Sequence, residues 1–322
     1  MHPKSALKRI SLNRGHMRRF LAAFLLLSSL GFGQGNYRVN TNLVNLSFSA
    51  RDAAGALVEN LTRDDLEVLE DNVPQKISYF SRSADVPLTL GLIVDFSDSQ
   101  QHFYKQHRRD LEIFLKDALG PNDKAFLICF GNHLRLVSDF SQNIPDLLEN
   151  LRQFDQGERN FPEMGPKEDR EMGTAFYDSI FYSVTEKLSN QPGRRALLIF
   201  SDGEDNSSSH NMMTTIEAAQ AQNVPVFAIR YTQMQHGRLT ARNRYGVSVM
   251  ERVALETGGR QFDARSMDPH EYFKEIADEL RSSYELGYYP SHPLKDNTFH
   301  KVVIRGKDKD FTIRCRTGFF SR

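Results

Sequence analysis

Hydrophobic and polar positions change rhythm twice along the chain. In the first stretch, residues 36–84, Val39, Leu43, Val44, Leu46 and Phe48 give a partial two-residue alternation that ends in the turn "DAAGA". "LTRDDLEVLEDNVPQKISYFS" then reads as a turn, a strand, a tight "EDNVPQ" turn and another strand. From Pro87 the pattern becomes apolar runs alternating with helical periodicity. "PLTLGLIVDFS" is a near-continuous apolar run, as a strand covered on both faces requires. "HFYKQHRRDLEIFLKDAL" follows and sets Phe103, Leu111, Phe114, Leu115 and Leu119 along one helical face. "DKAFLICFG" and "HLRLVSDFS" read as a strand and its hairpin partner, and "NIPDLLENLRQF" and "TAFYDSIFYSVTEKLSN" as helices. The remainder predicts strands at "RRALLIFSDGED", "VPVFAIRYT" and "RQFDA", and helices at "MTTIEAAQAQN", "VSVMERVALETGG" and "DPHEYFKEIADELRSSY".

Strands that alternate with helices predict a doubly wound, mainly parallel α/β sheet over residues 87–283. After residue 284 the alternation returns. "FHKVVIRG" and "FTIRCRTGFF", joined by "KDKD", carry a hairpin signal. Neither β-rich arm is long enough to be stable alone. The 36–84 and 284–322 arms are therefore expected to pair as one small antiparallel β domain with the α/β domain inserted into it. "FDQGERNFPEMGPKEDREMG" reads as a polar, mobile loop.

The N-terminal residues 1–33 read as a secretory signal peptide. Arg18 and Arg19 precede an apolar core at 20–30, and Gly31 and Gly33 occupy the small-residue positions before cleavage at Gln34. The core falls short of the roughly 20 residues of a membrane span, and no cysteine follows it, which argues against a lipid anchor. Met17 is an alternative start, and an uncleaved anchor the alternative fate. The mature protein is expected to be exported, to the periplasm, the cell surface or the medium. With 41 basic and 41 acidic side chains there is no global basic field to recruit nucleic acid. Cys129 and Cys315 match no zinc spacing.

Candidate chemistry lies at strand ends, where open α/β sheets bind ligands. "DFSDS" brings Asp95, Ser97 and Ser99, "GTAFYDSI" brings Thr174 at a helix start, and "LLIFSDGED" brings Asp202. Oxygen donors from three loops suit a hard divalent cation, Mg2+ first and Mn2+ or Ca2+ next. Two carboxylates balance its charge, and neutral hydroxyls leave it able to attract one more carboxylate.

These motifs, in this order, resemble the metal-ion-dependent adhesion site of von Willebrand factor type A (VWFA) domains, over roughly residues 87–283. The flanks "NLVNLSFSARDAAGALVENLTRDDLEVLEDNVPQKISYFS" and "YELGYYPSHPLKDNTFHKVVIRGKDKDFTIRCRTGFF" are similar to the outer segments of the VWFA-related family known mainly from Acidobacteria. The resemblance implies a six-stranded, Rossmann-like sheet. It also implies metal-dependent binding of a protein or surface polymer that offers an Asp or Glu, and it implies no established enzymatic activity. Asp98 stands where that family often has Gly; the added acid either strengthens cation binding or repels an acidic ligand.

Other readings stay beside it. Ser97, Asp98 and Ser99 are also residues that cap a helix starting near Gln100. Glu204, Asp205 and "NSSSH" read as a solvated loop, and His102 and His107 as exposed helix positions. An envelope module whose metal site is purely stabilising or vestigial is one alternative function. A phosphatase-like, Mg2+-dependent hydrolase of haloacid-dehalogenase type is another, but Ser97 occupies the place of its general acid. A serine hydrolase lacks its Gly-x-Ser-x-Gly elbow.

Overall fold

The computed structural model describes residues 43–82, 86–131, 133–165, 173–292, 294, 297–308 and 310–321. The signal-peptide assignment at 1–33 and the first residues of the N-terminal arm lie outside them.

In chain order the strands of the first arm are β1 (Val44–Arg51), β2 (Leu66–Glu70), β3 (Val73–Gln75) and β4 (Ile77–Arg82). The central part contains β5 (Leu88–Asp95), α1 (Tyr104–Ala118), β6 (Lys124–Phe130), β7 (Leu134–Ser141), α2 (Ile144–Asp155) and α3 (Phe176–Tyr182). It continues with β8 (Arg194–Ser201), α4 (Met212–Ala221), β9 (Val226–Arg230), α5 (Ala241–Thr257), β10 (Gln261–Asp263) and α6 (Pro269–Arg281). The last arm holds β11 (Tyr284–Tyr288), β12 (Phe299–Gly306), β13 (Thr312–Cys315) and β14 (Gly318–Phe320).

The central sheet has six strands in the order β10-β9-β8-β5-β6-β7, parallel except for the β6–β7 pair. β5 is buried at every position because helices cover both faces. α1, α2 and α6 pack Leu111, Phe114, Leu147, Phe273 and Ile276 on one face. α3, α4 and α5 pack Phe176, Ile180, Ile216, Val249 and Val253 on the other. Chain order reverses at β5, with β6 on one side and β8 on the other. This is the switch point at which a crevice opens beyond the carboxyl ends of the strands.

The two arms interleave, which gives the inserted, doubly wound α/β architecture that the hydrophobic pattern implied. One sheet runs β13-β1-β11-β4 and the other β14-β12-β2-β3. They share a core of Leu46, Phe48, Leu66, Val68, Leu286, Val302 and Ile304. Asp71 and Asn72, at φ +50° and +67°, make the two-residue turn between β2 and β3.

The hairpin expected between "FHKVVIRG" and "FTIRCRTGFF" forms only at its far end, where Gly318–Phe320 pairs antiparallel with Phe299–Lys301. β12 pairs with β2 and β14, whereas β13 pairs with β1 in the other sheet. The second run breaks at Arg316, whose buried guanidinium donates to the carbonyls of Gln220 and Asn45, and its two halves serve different sheets. The described part of the loop expected to be mobile is also fastened. Met164 N–H donates to Leu134 O (3.0 Å) and Leu136 N–H to Pro162 O (2.9 Å) along β7.

Candidate functional site

Asp95 is the last residue of β5 and Asp202 directly follows β8, so neighbouring parallel strands deliver both carboxylates to the switch point. They are 0% and 2% exposed. Ser97 N–H donates to Asp95 Oδ1 (2.9 Å), and Ser201 Oγ donates to Asp95 Oδ2 (2.6 Å). Ser97 Oγ and Ser99 Oγ are 3.2 Å apart, and Ser99 Oγ donates to Asp202 Oδ2 (2.7 Å). Asp95, Ser97, Ser99 and Asp202 thus form one hydrogen-bonded chain.

Thr174 is brought alongside by its backbone. Ala175 N–H donates to Gly131 O (2.9 Å), and Gly131 packs so closely on the Phe96 carbonyl that a Cβ there would sit 3.3 Å from it. Thr174 N–H donates to Asn206 Oδ1 (2.7 Å), while its carbonyl accepts from the Asn206 and Ser207 amides. The buried Thr174 side chain stands outside the hydrogen-bonded chain of the other four.

Helix capping does not account for the serines. Ser97 precedes a 3-10 turn at Asp98–Phe103, but its hydroxyl makes no cap hydrogen bond. The Gln100 amide is taken by the Ser97 carbonyl instead (2.9 Å). Asp98 is exposed and lies in this turn with φ in the ordinary range, so nothing in the loop demands glycine there.

Two expectations about the surroundings are overturned. Glu204 is buried rather than solvated; its carboxylate pairs with Arg242 (2.6 Å), and its N–H donates to Asp202 Oδ1 (3.0 Å). Asp205 is half-buried and accepts from Tyr177 N–H (3.3 Å). The loop folds inward because its polar groups replace water for one another. His107 is fully buried against Tyr231, and burial holds its imidazole down at about 3, so it is neutral packing.

Several supporting groups carry no motif of their own. Gln100 Nε2 bridges Asp202 Oδ2 (2.8 Å) and the Tyr231 carbonyl (3.1 Å). Tyr104 OH donates to the Phe96 and Ser97 carbonyls (2.6 and 3.1 Å), which clamps the loop after β5. Gly203 and Gly246 let α5 touch the exit of β8: a Cβ on Gly246 would lie 2.3 Å from Asp202 O. Proximity in sequence to Asp95 or Asp202 is the only signal that could have pointed to Gln100 and Ser201.

The electrostatics are those of a cluster short of positive charge. Among the described residues no lysine or arginine pairs with Asp95 or Asp202; their partners are hydroxyls, amides and backbone. Burial, and then the charge of Asp202, push Asp95 up to about 7 despite the hydrogen bonds from Ser201 and Ser97. Burial and Asp202 also raise Glu204, against the pull of Arg242. Buried like charges of this kind are relieved by a proton or by a bound cation. An all-oxygen donor set with two carboxylates fits a hard divalent ion.

Fold and site together define a doubly wound α/β protein with an acid-and-hydroxyl cluster at its switch point. No protein-family profile matches the chain, and no curated protein matches it by sequence. Among solved structures it is similar to an aerotolerance-related membrane protein from Bacteroides fragilis, with 16% identity and a TM-score of 0.45 over 60% of this chain and 98% of that one. It is also similar to BatB from Bacteroides thetaiotaomicron, with 17% identity and a TM-score of 0.43 over 60% of this chain and 97% of that one. A third similar structure is proximal thread matrix protein 1 from the mussel byssus, which has a zinc-occupied MIDAS motif. That match has 11% identity and a TM-score of 0.47 over 66% of this chain and 50% of that one.

Proposed function

We propose that the chain is an exported VWFA-type module, of the VWFA-related group known mainly from Acidobacteria, that binds a protein or surface polymer through a divalent cation. Asp95, Ser97, Ser99, Thr174 and Asp202 are the residues that would hold the ion, Mg2+ first, with Mn2+ and Ca2+ as the other candidates. The ion supplies Lewis acidity toward an incoming Asp or Glu carboxylate. The chain's own residues keep the donors in place: Gln100 and Ser201 orient the two aspartates, and Tyr104 fixes the loop between them. The observation that carries the reading is the pair of buried carboxylates on adjacent strand ends, which no basic side chain among the described residues pairs with.

No catalytic role is proposed. Among the described residues no helix is long and apolar enough to cross a membrane. Export remains part of the proposal and rests on the N-terminal sequence.

Thermal unfolding in EDTA and then in Mg2+, Mn2+ or Ca2+ tests the site. An ion that binds only the folded state at 100 times its dissociation constant adds about 2.7 kcal/mol. Wild type is expected to gain stability, and Asp95→Ala and Asp202→Ala to lose that gain. A purely stabilising ion is separated from an adhesive one by retention on a carboxylate-bearing resin. The adhesive reading expects Mg2+-dependent retention that EDTA abolishes; retention indifferent to EDTA sinks it.

A further inference from the structure

A second constellation lies in the β unit, away from the switch point, at the turn after β2. Glu70 is the last residue of β2 and Asp71 the first of its turn; His300 lies at the start of β12, and His292 in the connection from β11. One ligand-type atom from each of the four falls within 4.8 Å of all the others. His300 Nδ1 is 2.8 Å from Asp71 Oδ2 and 3.5 Å from Glu70 Oε1, and His292 Nε2 is 3.3 Å from the same Glu70 oxygen.

Glu70 is the informative member. It is 0% exposed; Tyr288 OH donates to Oε2 (2.7 Å), but Oε1 is buried with no hydrogen-bond partner and faces the two imidazoles. Among the described residues no lysine or arginine pairs with it; its ion-pair contacts are the two histidines. A buried carboxylate is relieved by a proton, a cationic partner or a metal ion, and the two imidazoles are placed to supply the second or to help hold the third.

Three features favour the metal. Three of the six ligand–ligand separations are near what it needs: four-coordinate zinc with bonds of about 2.0–2.1 Å has edges of roughly 3.3 Å. The separations of 2.8, 3.3 and 3.5 Å bracket that edge. The outer atoms of the ligands are also fixed. Lys301 N–H holds Asp71 Oδ1 (2.9 Å), Tyr288 OH holds Glu70 Oε2, and the His300 ring stacks on Phe319 at 5.4 Å. His300 Nε2 is buried without a partner, so the ring's polar outlet is Nδ1, toward the carboxylates. Finally, two carboxylates and two neutral imidazoles balance a dication, and a two-nitrogen, two-oxygen set suits zinc and its first-row neighbours better than Mg2+.

We propose that Glu70, Asp71, His292 and His300 form a structural Zn2+-class site that clips the N-terminal β2–β3 turn to the C-terminal arm. With four protein ligands the site is closed, as structural zinc sites are. It joins segments 229 residues apart in sequence, so binding free energy becomes folding free energy of the β unit.

Co2+ titration of the whole mature chain reads the site directly, because four-coordinate Co2+ absorbs strongly in the visible whereas an octahedral oxygen site does not. One equivalent is expected to give that band, and Zn2+ to bleach it. Asp95→Ala is expected to keep the band, which separates this site from the switch-point cluster. His292→Ala, on a half-buried position, and Asp71→Asn, which retains the turn and an acceptor for Lys301, are expected to abolish it. Zn2+ affinity is expected to fall by no less than the roughly 10–100-fold that loss of an outer partner costs. Unchanged far-ultraviolet circular dichroism in EDTA serves as the folding control. Absence of the band in wild type, or its full retention in folded His292→Ala, overturns the proposal in favour of a histidine–carboxylate ion pair.

Discussion

At the scale of the residue, Asp95 carries the most consequence. Its folded-state value of about 7 lies above the ordinary 3.8, chiefly because it is buried and next because Asp202 is near. The folded state therefore holds a proton that the unfolded state has released between those values. Stability from this group is complete below about pH 4 and is lost as pH rises through 7. In EDTA, the contribution of Asp95 is expected to lower the melting temperature from pH 5.5 to pH 8. A cation replaces the proton, so the gain from Mg2+ is expected to be larger at pH 8 than at pH 5.5. Asp95→Asn imitates the protonated form: its melts are expected to flatten with pH in EDTA and to ignore Mg2+. The same pH dependence in wild type and in Asp95→Asn, in EDTA, would show that Asp95 does not hold the proton that its burial and Asp202 call for.

Which residues could be read in advance follows from where their signals lie. Asp95, Ser97, Ser99 and Asp202 sit at the ends of apolar runs, and that local contrast was visible. Gln100 and Ser201 act on carboxylates 102 and 106 residues away, and no spacing encodes such a contact. Glu204 and His107 read as exposed in the sequence for the same reason. A polar side chain reads as exposed until the fold supplies Arg242 for one and Tyr231 for the other.

At the scale of the element, α5 and β8 depend on a contact without side chains. Gly246 on α5 meets the carbonyl of Asp202, and Gly203 (φ +78°) meets the carbonyl of Gly246, where a Cβ would lie 2.4 Å away. Gly246→Ala is expected to cost about 1–3 kcal/mol by overpacking. Because the displaced backbone carries Asp202, the Mg2+-induced rise in melting temperature is expected to shrink as well. Val253→Ala on the same helix serves as the control: it destabilises but leaves the Mg2+ increment intact.

The start of α5 escaped the hydrophobic pattern, which places the helix at 247 rather than at Ala241. Its first turn is polar and rests on Thr240, whose hydroxyl accepts from Asn243 N–H (3.1 Å) while the Asn243 side chain reaches back. Thr240→Ala is expected to cost about 1 kcal/mol, measured by urea unfolding. The split of the last β-rich run was hidden likewise. At its break, Arg316 donates to the carbonyls of Gln220 and Asn45, far away in sequence.

At the scale of the whole molecule, the chain ends support one another. β1 takes β11 and β13 as its neighbours, and β2 takes β12. A chain ending at residue 283 removes every one of these partners and bares Leu46, Phe48, Leu66 and Val68. It is expected to be insoluble or to aggregate on size-exclusion chromatography. Recovery of a soluble monomer from that truncation would show that the N-terminal arm finds other cover.

The stem of the inserted part has a mechanical consequence. β4 enters it and β11 leaves it, and Arg82 pairs with Tyr284 where the two strands meet its border. Under the proposed binding role, a tug on a ligand at the switch point would reach the β unit through these two covalent strands, beside the Arg314–Glu279 and Arg316–Gln220 contacts. Their anchorage is the ladder between β11 and β1, whose pairs run from Val44–Tyr288 to Phe48–Tyr284. Tension along the strands loads these rungs in shear, together rather than in succession, so the grip of the stem resists traction better than a zipper peeled from one end.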